Sequence, residues 1–346
     1  MQVLINRNDK LGDFISSLPC YKLLKSARPD IEITVLVNQV TSELAKACQW
    51  IDNIIIDKAD SNLINDIYKL TATLKKNHFH STITLFSTTR VGLAVFLARI
   101  PYRLAPATKF AQIFYNHRLA QRRSRSEKPE FEYNLDLIRH FLADLRGNTA
   151  QQPQPPFMEF DTDIINSLKR EFCKQFDINP SCKLVFLHAG SGGSANNLSL
   201  QQYAKLAQHL KSTNGHIIVL TAGPNELKMV ENLSTMIREI PHVILHSTQG
   251  LVKFSQHIAF ADLFIAGSTG PLHIAGALNV PTAAFYTRRR SATSLRWQTL
   301  NTPDRRLSYS PPPNVEEEDM TTIDIVAAAR EISEHFLQHK ALSITP

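Results

Sequence analysis

Asp13 stands in RNDKLGD, directly after the apolar run VLIN and ahead of a helix-period segment. A carboxylate at the tip of a strand can take a proton from a substrate hydroxyl, and the same residue can instead cap the helix that follows. GSTGPLH, at 267–273, marks a second strand, turn, helix junction. There Gly267 and Gly270 permit tight turning and close backbone approach, and Pro271 suits a first helical turn because its missing N–H has no partner there anyway. The remaining orphan N–H groups and the positive end of the helix dipole suit an anion such as a diphosphate, with Ser268 and Thr269 adding hydroxyl donors. Leu272 starts the apolar face of that helix, and His273 reads either as a ligand or as a packed helix histidine.

HAGSGGSANN, at 188–197, is a second glycine cluster between an apolar strand and a helix. Gly190, Gly192 and Ala195 satisfy the GxGxxG/A spacing literally. Two features argue against a dinucleotide site: Ser199 caps the next helix well beyond the glycines, and the following strand, HIIVLT, ends without the acid that a ribose needs. What survives is an anion-holding loop of Ser191, Gly192, Gly193 and Ser194, with an ordinary long loop as the alternative. TAGPNE, at 221–226, closes another strand, and Glu226 either binds a ribose hydroxyl or complements the dipole of the next helix.

Positioning these groups requires strands that end at one side of a sheet. Val- and Ile-rich runs alternate with helix-period segments from the first residue onward, the pattern of parallel sheets covered by helices. Strands are predicted at 3–6, 32–37, 53–57, 81–86, 183–188, 216–221, 242–245, 263–266 and 282–286. Helices are predicted at 14–27 with a kink at Pro19, 42–49, 63–76, 89–98, 131–146, 163–175, 200–211, 225–236, 252–260 and 271–278. GNTAQQPQPP, at 147–156, reads as a linker. The expectation is an α/β protein with one domain over 1–150 and a second over 160–320. An amphipathic stretch at 323–336, within 321–346, is expected to be a helix that packs across the junction. Ligands of open α/β sheets bind beyond the carboxyl ends of the strands, so the two sheets are expected to face each other across a cleft.

A chain of 346 residues with 43% hydrophobic and 20% charged residues is neither disordered nor collagen-like. No apolar run approaches the roughly 20 residues that cross a bilayer. Arg7, Asp9 and Lys10 occupy the place of a signal peptide's apolar segment, which points to the cytoplasm. Cys20, Cys48, Cys173 and Cys182 show no metal-ligand spacing and read as small buried hydrophobes, so no metal site is expected. The net charge of +7 suggests an anionic partner. It is concentrated in Arg118, Arg122, Arg123, Arg125 and Lys128, and again in Arg288, Arg289 and Arg290, although either cluster can be a solvated loop. Neither has interleaved aromatics, so nucleic acid is not an expected partner.

Taken in order, RNDKLGD, HAGSGG, TAGPNE and GSTGPLHIAGAL resemble the lipopolysaccharide heptosyltransferases, the ADP-heptose-using members of glycosyltransferase family 9. The resemblance implies a GT-B fold of two Rossmann-like domains and an inverting, metal-independent transfer from a nucleotide sugar, with no cofactor. Asp13 matches the family's catalytic carboxylate. Ser191 and Gly192 match the phosphate-side loop, Glu226 the ribose-side acid, and Thr269, Gly270 and His273 the diphosphate-binding helix start. The implied acceptor is the lipopolysaccharide core or its lipid A-linked precursor, at the inner face of the cytoplasmic membrane. The 118–128 cluster would then capture the acceptor and give peripheral membrane contact.

Two departures stand out. Many members of the family carry a Lys after the glycine loop, where this chain has Asn196 and Asn197, and an acid where it has Ser268. Another cation is then needed at the diphosphate, and Arg288, Arg289, Arg290, Arg7 and Lys10 are the candidates. The departures also leave two alternatives: a family member with another nucleotide sugar or acceptor, and a catalytically silent nucleotide-sugar-binding homologue.

Overall fold

The computed structural model describes residues 1–58, 62–108, 110–146, 151–190 and 196–338. The chain divides into two compact units, Met1–Glu159 and Phe160–Pro346. The first unit's strands are β1 (Gln2–Asn6), β2 (Glu32–Val37), β3 (Asn53–Ile56), β4 (Ser81–Thr84), β5 (Tyr102–Pro106) and β6 (His117–Leu119). They form one parallel sheet in the order β3-β2-β1-β4-β5-β6. The second unit has β7 (Lys183–His188), β8 (His216–Ala222), β9 (His242–His246), β10 (Leu263–Gly267), β11 (Thr282–Phe285) and β12 (Arg306–Tyr309). Its order, β9-β8-β7-β10-β11-β12, is the same winding, and all its pairs are parallel. Each unit is therefore a Rossmann-like doubly wound sheet, whose strand order reverses beside its first strand.

Central strands buried on both faces must be apolar throughout, and Val3, Leu4 and Ile5 of β1 and Leu263, Phe264 and Ile265 of β10 are fully buried. The first unit's helices are α1 (Leu11–Ile15), α2 (Leu18–Ala27), α3 (Ser42–Ala47), α4 (Leu63–Lys76), α5 (Thr89–Leu97) and α6 (Glu130–Asp144). The second has α7 (Thr162–Gln175), α8 (Leu200–His209), α9 (Leu227–Met236), α10 (Leu251–Ala259), α11 (Gly270–Ala277) and α12 (Ile325–Ile332). No helix among the described residues is long and apolar enough to cross a membrane. Cys20, Cys48 and Cys173 are buried, Cys182 is partly so, and all four are free thiols.

The structure departs from the sequence expectation in four places. The helix expected at 14–27 is two helices. The Ser16 and Ser17 hydroxyls donate back to the carbonyls of Asp13 and Phe14, which ends α1, and Pro19 then falls in the first turn of α2, where it needs no kink. Strands β5, β6 and β12 were not anticipated, because β5 ends in proline and the other two are short edge strands carrying arginine. Residues 151–156 of the expected linker run along the first unit, where Lys22 donates to the carbonyls of Gln154 and Pro156 at 2.8 and 3.0 Å. The helix expected over 323–336 begins only at Ile325 and passes into a π-helical turn at Ser333–Leu337, and Ile325, Ala328, Ala329 and Ile332 of α12 join the second unit's hydrophobic core beside α8.

Candidate active site

In the first unit the site is built around a buried arginine. Arg7 follows β1 directly and is 1% exposed. Its Nη2 donates to Asp13 Oδ1 at 2.9 Å, and its Nε donates to the Asp13 carbonyl at 3.0 Å. Asp9 Oδ1 lies 3.3 Å from Nε, and Glu130 Oε1, at the start of α6, lies 3.5 Å from Nη2. Arg123 completes the group: its Nη1 donates to Glu130 at 2.7 Å. A guanidinium leaves water at a cost of several kcal/mol unless carboxylates surround it, and here they converge from three segments of the chain. Burial, with Asp13 and Glu130 nearby, pushes the Asp9 carboxyl up to about 7 against the pull of Arg7.

Of the two readings of Asp13, catalytic carboxylate and helix cap, the cap does not form. Asp13 is the third residue of α1, whose cap position is Lys10, and the Asp13 carboxylate turns to Arg7. Its side chain keeps 19% exposure, so a rigidly held carboxylate reaches solvent beside the end of the central strand. This geometry suits a general base, because the carboxylate's orientation is set before substrate arrives. Arg7 is correspondingly removed from the cations expected to meet a diphosphate: it is buried and spent on carboxylates. Lys10 is exposed.

The expected acceptor cluster is not one surface of free cations. Arg123 is held by Glu130, the Leu85 carbonyl and Gln121. Lys128 is ion-paired with Asp136 and lies over the Tyr133 ring, and Arg125 lies 3.5 Å from Glu127. Arg118 and Arg122 are exposed. The reason is local: Glu127, Glu130 and Asp136 follow the basic run closely in sequence and turn back onto it.

In the second unit, Ser191, Gly192, Gly193 and Ser194 lie outside the described residues. The segments flanking them are well defined. Glu226 precedes α9 but does not cap it; its Oε2 accepts from the Gly223 N–H at 2.8 Å and lies 3.9 Å from His188 Nε2. The carboxylate fills the space over Gly190, where a Cβ would stand 2.1 Å from Oε1. A side chain at 190 would displace the Glu226 carboxylate from this place. His188 is buried and bonded to Thr221 at 2.9 Å, and burial lowers its pKa.

The GSTGPLH junction forms as expected: β10 ends at Gly267, Ser268 is half-buried, Thr269 is the cap residue, and α11 starts at Gly270 with Pro271 in its first turn. Thr269 is 4% exposed, yet its hydroxyl has no hydrogen-bond partner among the described residues and does not cap the helix. One strand over, the buried Thr287 hydroxyl and the buried Arg288 Nε likewise have no partner among the described residues. Arg288 is otherwise anchored, its Nη2 donating to the Val315 carbonyl at 2.6 Å. Burying such groups without partners is costly, so three of them beyond the carboxyl ends of β10 and β11 mark a place built for a polar ligand. Arg289 is exposed and lies 3.7 Å from Glu318, and Arg290 is exposed. Leu272 is fully buried. His273 is buried edge-on to Trp297 at 6.0 Å, and burial lowers its pKa to about 4, so it is uncharged at neutral pH.

The two asparagines at the family's lysine position serve the scaffold. Asn197 donates to the Ala189 carbonyl at 2.9 Å and accepts from the Leu198 N–H and from the Tyr203 hydroxyl at 2.6 Å. It lies against Gly267, where a Cβ would stand 2.3 Å from its amide oxygen. Asn196 donates to the Glu318 carbonyl at 2.9 Å. Sequence reasoning missed Glu130 and Thr287 and misplaced Arg7. The signal for Arg7 was a charged residue extending a fully apolar central strand, with Asp9 and Asp13 close behind. Among the described residues, His117, His140 and Asp144 are the one cluster with metal-ligand spacing. Tyr102 donates to Asp144 at 2.7 Å and stacks on His117, so the cluster ties α6 to the sheet edge.

Residues 67–321 match the model of glycosyltransferase family 9 (heptosyltransferase). A Haemophilus influenzae protein that carries only a provisional glycosyltransferase name is 41% identical over 333 residues, covering 96% of each chain. In fold, the chain is similar to the glycosyl transferase family 9 protein of Veillonella parvula (TM-score 0.80, 15% identity, 97% of each chain). It is also similar to the E. coli ADP-heptose lps heptosyltransferase II (TM-score 0.74, 17% identity, 97% of this chain and 99% of that one). With the family model spanning most of the chain and both sheets wound as in a GT-B enzyme, the chain belongs to glycosyltransferase family 9, the heptosyltransferase family.

Proposed function

We propose that this glycosyltransferase moves heptose from ADP-heptose to the lipopolysaccharide inner core, at the inner face of the cytoplasmic membrane, by an inverting displacement that uses neither metal nor cofactor. The observation that carries the reading is the set of buried groups without partners among the described residues, Thr269, Thr287 and Arg288, which follow the adjacent strands β10 and β11. The free N–H groups of Gly270 and Leu272 and the helix dipole favour a diphosphate there, and the Arg288 guanidinium supplies the cation that Asn196 and Asn197 do not. The donor's anomeric carbon loses ADP as the bond to the acceptor oxygen forms, and Asp13 takes that oxygen's proton. The negative charge leaves on the diphosphate, so the developing charge and the donors meant for it coincide. Glu226 is the ribose-side acid in this reading, and the name of the E. coli relative supplies the sugar and the acceptor.

The test is Asp13→Asn, whose amide oxygen can keep the Arg7 bond. Transfer from ADP-heptose is expected to fall about 10²- to 10⁴-fold, with ADP binding nearly unchanged in calorimetry. Undiminished transfer would remove Asp13 from the mechanism. A second reading, another nucleotide sugar as donor, is favoured by Ser268 and by the scaffold role of Asn197. A thermal-shift panel of nucleotide sugars separates the two by which donor stabilises the protein most.

A further inference from the structure

The first unit holds a group of large apolar side chains out in water on a rigid mount. Phe96 and Leu97 at the end of α5, and Phe110 and Ile113 on the 3-10 helix Phe110–Phe114, are 48%, 42%, 68% and 55% exposed. Phe114 links Phe96 of α5 to Phe110 of the 3-10 helix, its ring 6.0 Å from the first and 6.5 Å from the second. The mount is specific. Gly92 lets the 3-10 helix settle on α5, since a Cβ there would stand 3.0 Å from the Phe114 ring. Arg103 donates to the carbonyls of Phe114 and Ile100 at 2.9 and 2.5 Å, and its guanidinium lies 5.5 Å from the Phe96 ring. Contiguous apolar groups of this kind on a surface mark an interaction site.

Charge identifies the partner. Residues 67–126 contain eleven Lys and Arg and no Asp or Glu, in a chain whose whole net charge is +7. Arg99 follows Phe96 and Leu97 closely at the end of α5, Arg118 lies on β6, paired with β5, and both are exposed. Aromatic and aliphatic side chains rimmed by unopposed arginines fit the headgroup layer of a bilayer that carries negative lipids: the rings enter the interface and the cations stay at the phosphates. We propose that this face, Phe96, Leu97, Phe110 and Ile113 with Arg99 and Arg118, docks the first unit on an anionic membrane surface. The docking deepens the reading of a membrane-borne acceptor and rests on it for its purpose. It also moves the membrane contact away from the 122–128 segment, where Arg123, Arg125 and Lys128 already face carboxylates.

The test is flotation of the full chain with vesicles of phosphatidylglycerol and phosphatidylethanolamine, and with vesicles of phosphatidylcholine alone. Binding is expected to the first and not the second, and to weaken with salt. Phe110→Ser combined with Ile113→Ser is expected to lower the bound fraction at least about tenfold, because both side chains leave the interface. Arg118→Ser is expected to lower it less and to flatten the salt dependence. All these side chains are exposed, so an unchanged melting temperature and an unchanged thermal shift by ADP show that the variants fold. No flotation of the unmodified chain, or flotation untouched by the double variant, would overturn the docking face. So would concentration-dependent self-association that the double variant abolishes, or binding to random oligonucleotides in preference to vesicles. Flotation with no thermal shift by ADP would leave the docking face standing and remove the ADP-sugar reading instead.

Discussion

Thr269 carries two opposed costs that a single substitution separates. Its buried hydroxyl has no partner among the described residues, so Thr269→Val removes a desolvated polar group, and the free protein is expected to melt at the same temperature or slightly higher. A hydroxyl that meets a diphosphate contributes about 0.5–1.5 kcal/mol, so ADP should bind the variant about 2- to 10-fold more weakly. A lower melting temperature with unchanged ADP affinity would make the residue a packing group. His273 gives a pH signature of opposite origin. Burial lowers its pKa from 6.5 to about 4, so the unfolded chain takes up its proton first as pH falls. The stability it contributes is complete above pH 6.5 and drains away between there and about pH 4, by on the order of 3 kcal/mol. Denaturant unfolding of the protein and of His273→Gln at several pH values checks this, and the variant's curve should be the flatter one over that window.

At the scale of elements, what was legible in the sequence was each junction where a glycine or a cap punctuates an apolar run. GSTGPLH, TAGPNE and the Ser199 cap all lie where their chemistry placed them, because turn and cap requirements are local. Ser199 even closes a full capping box with Gln202. What was not legible depended on how the chain folds back on itself. Charge type alone does not announce that Glu130, seven residues on, will turn back to hold Arg123, and nothing in NNLS announces that Asn197 will sit under Gly267. Strands β6 and β12 escaped because edge strands need only one neighbour and tolerate arginine, and β5, paired on both sides, escaped because it ends in proline. The Asn197 contact yields a direct test. Gly267→Ala would drive a methyl into an amide already fixed by three hydrogen bonds, and is expected to cost about 1–3 kcal/mol in denaturant unfolding. A neutral result would mean that β10 and the 196–199 segment slide apart at no cost.

On the scale of the whole molecule, two sheets of identical winding divide the labour, with the carboxylate site in one unit and the unpartnered donors in the other. The second unit depends on the far end of the chain. Ile323, Ile325, Ile332 and Leu337 are buried in its core, and each contributes about 1.5–3 kcal/mol by leaving water. A chain stopped before residue 323 is therefore expected to lose the second unit's folding transition and its thermal shift by ADP, while the first unit still melts cooperatively. Retention of the ADP shift would show that α12 is dispensable.

The first unit has a similar dependence, set by Arg7 and Glu130, which are 123 residues apart. A ribosome delivers Arg7 among the first residues and Glu130 much later, so during synthesis the guanidinium must stay hydrated and the end of β1 must stay open until α6 emerges. Burial of the guanidinium that holds the Asp13 carboxylate is thus completed only when α6 joins the sheet.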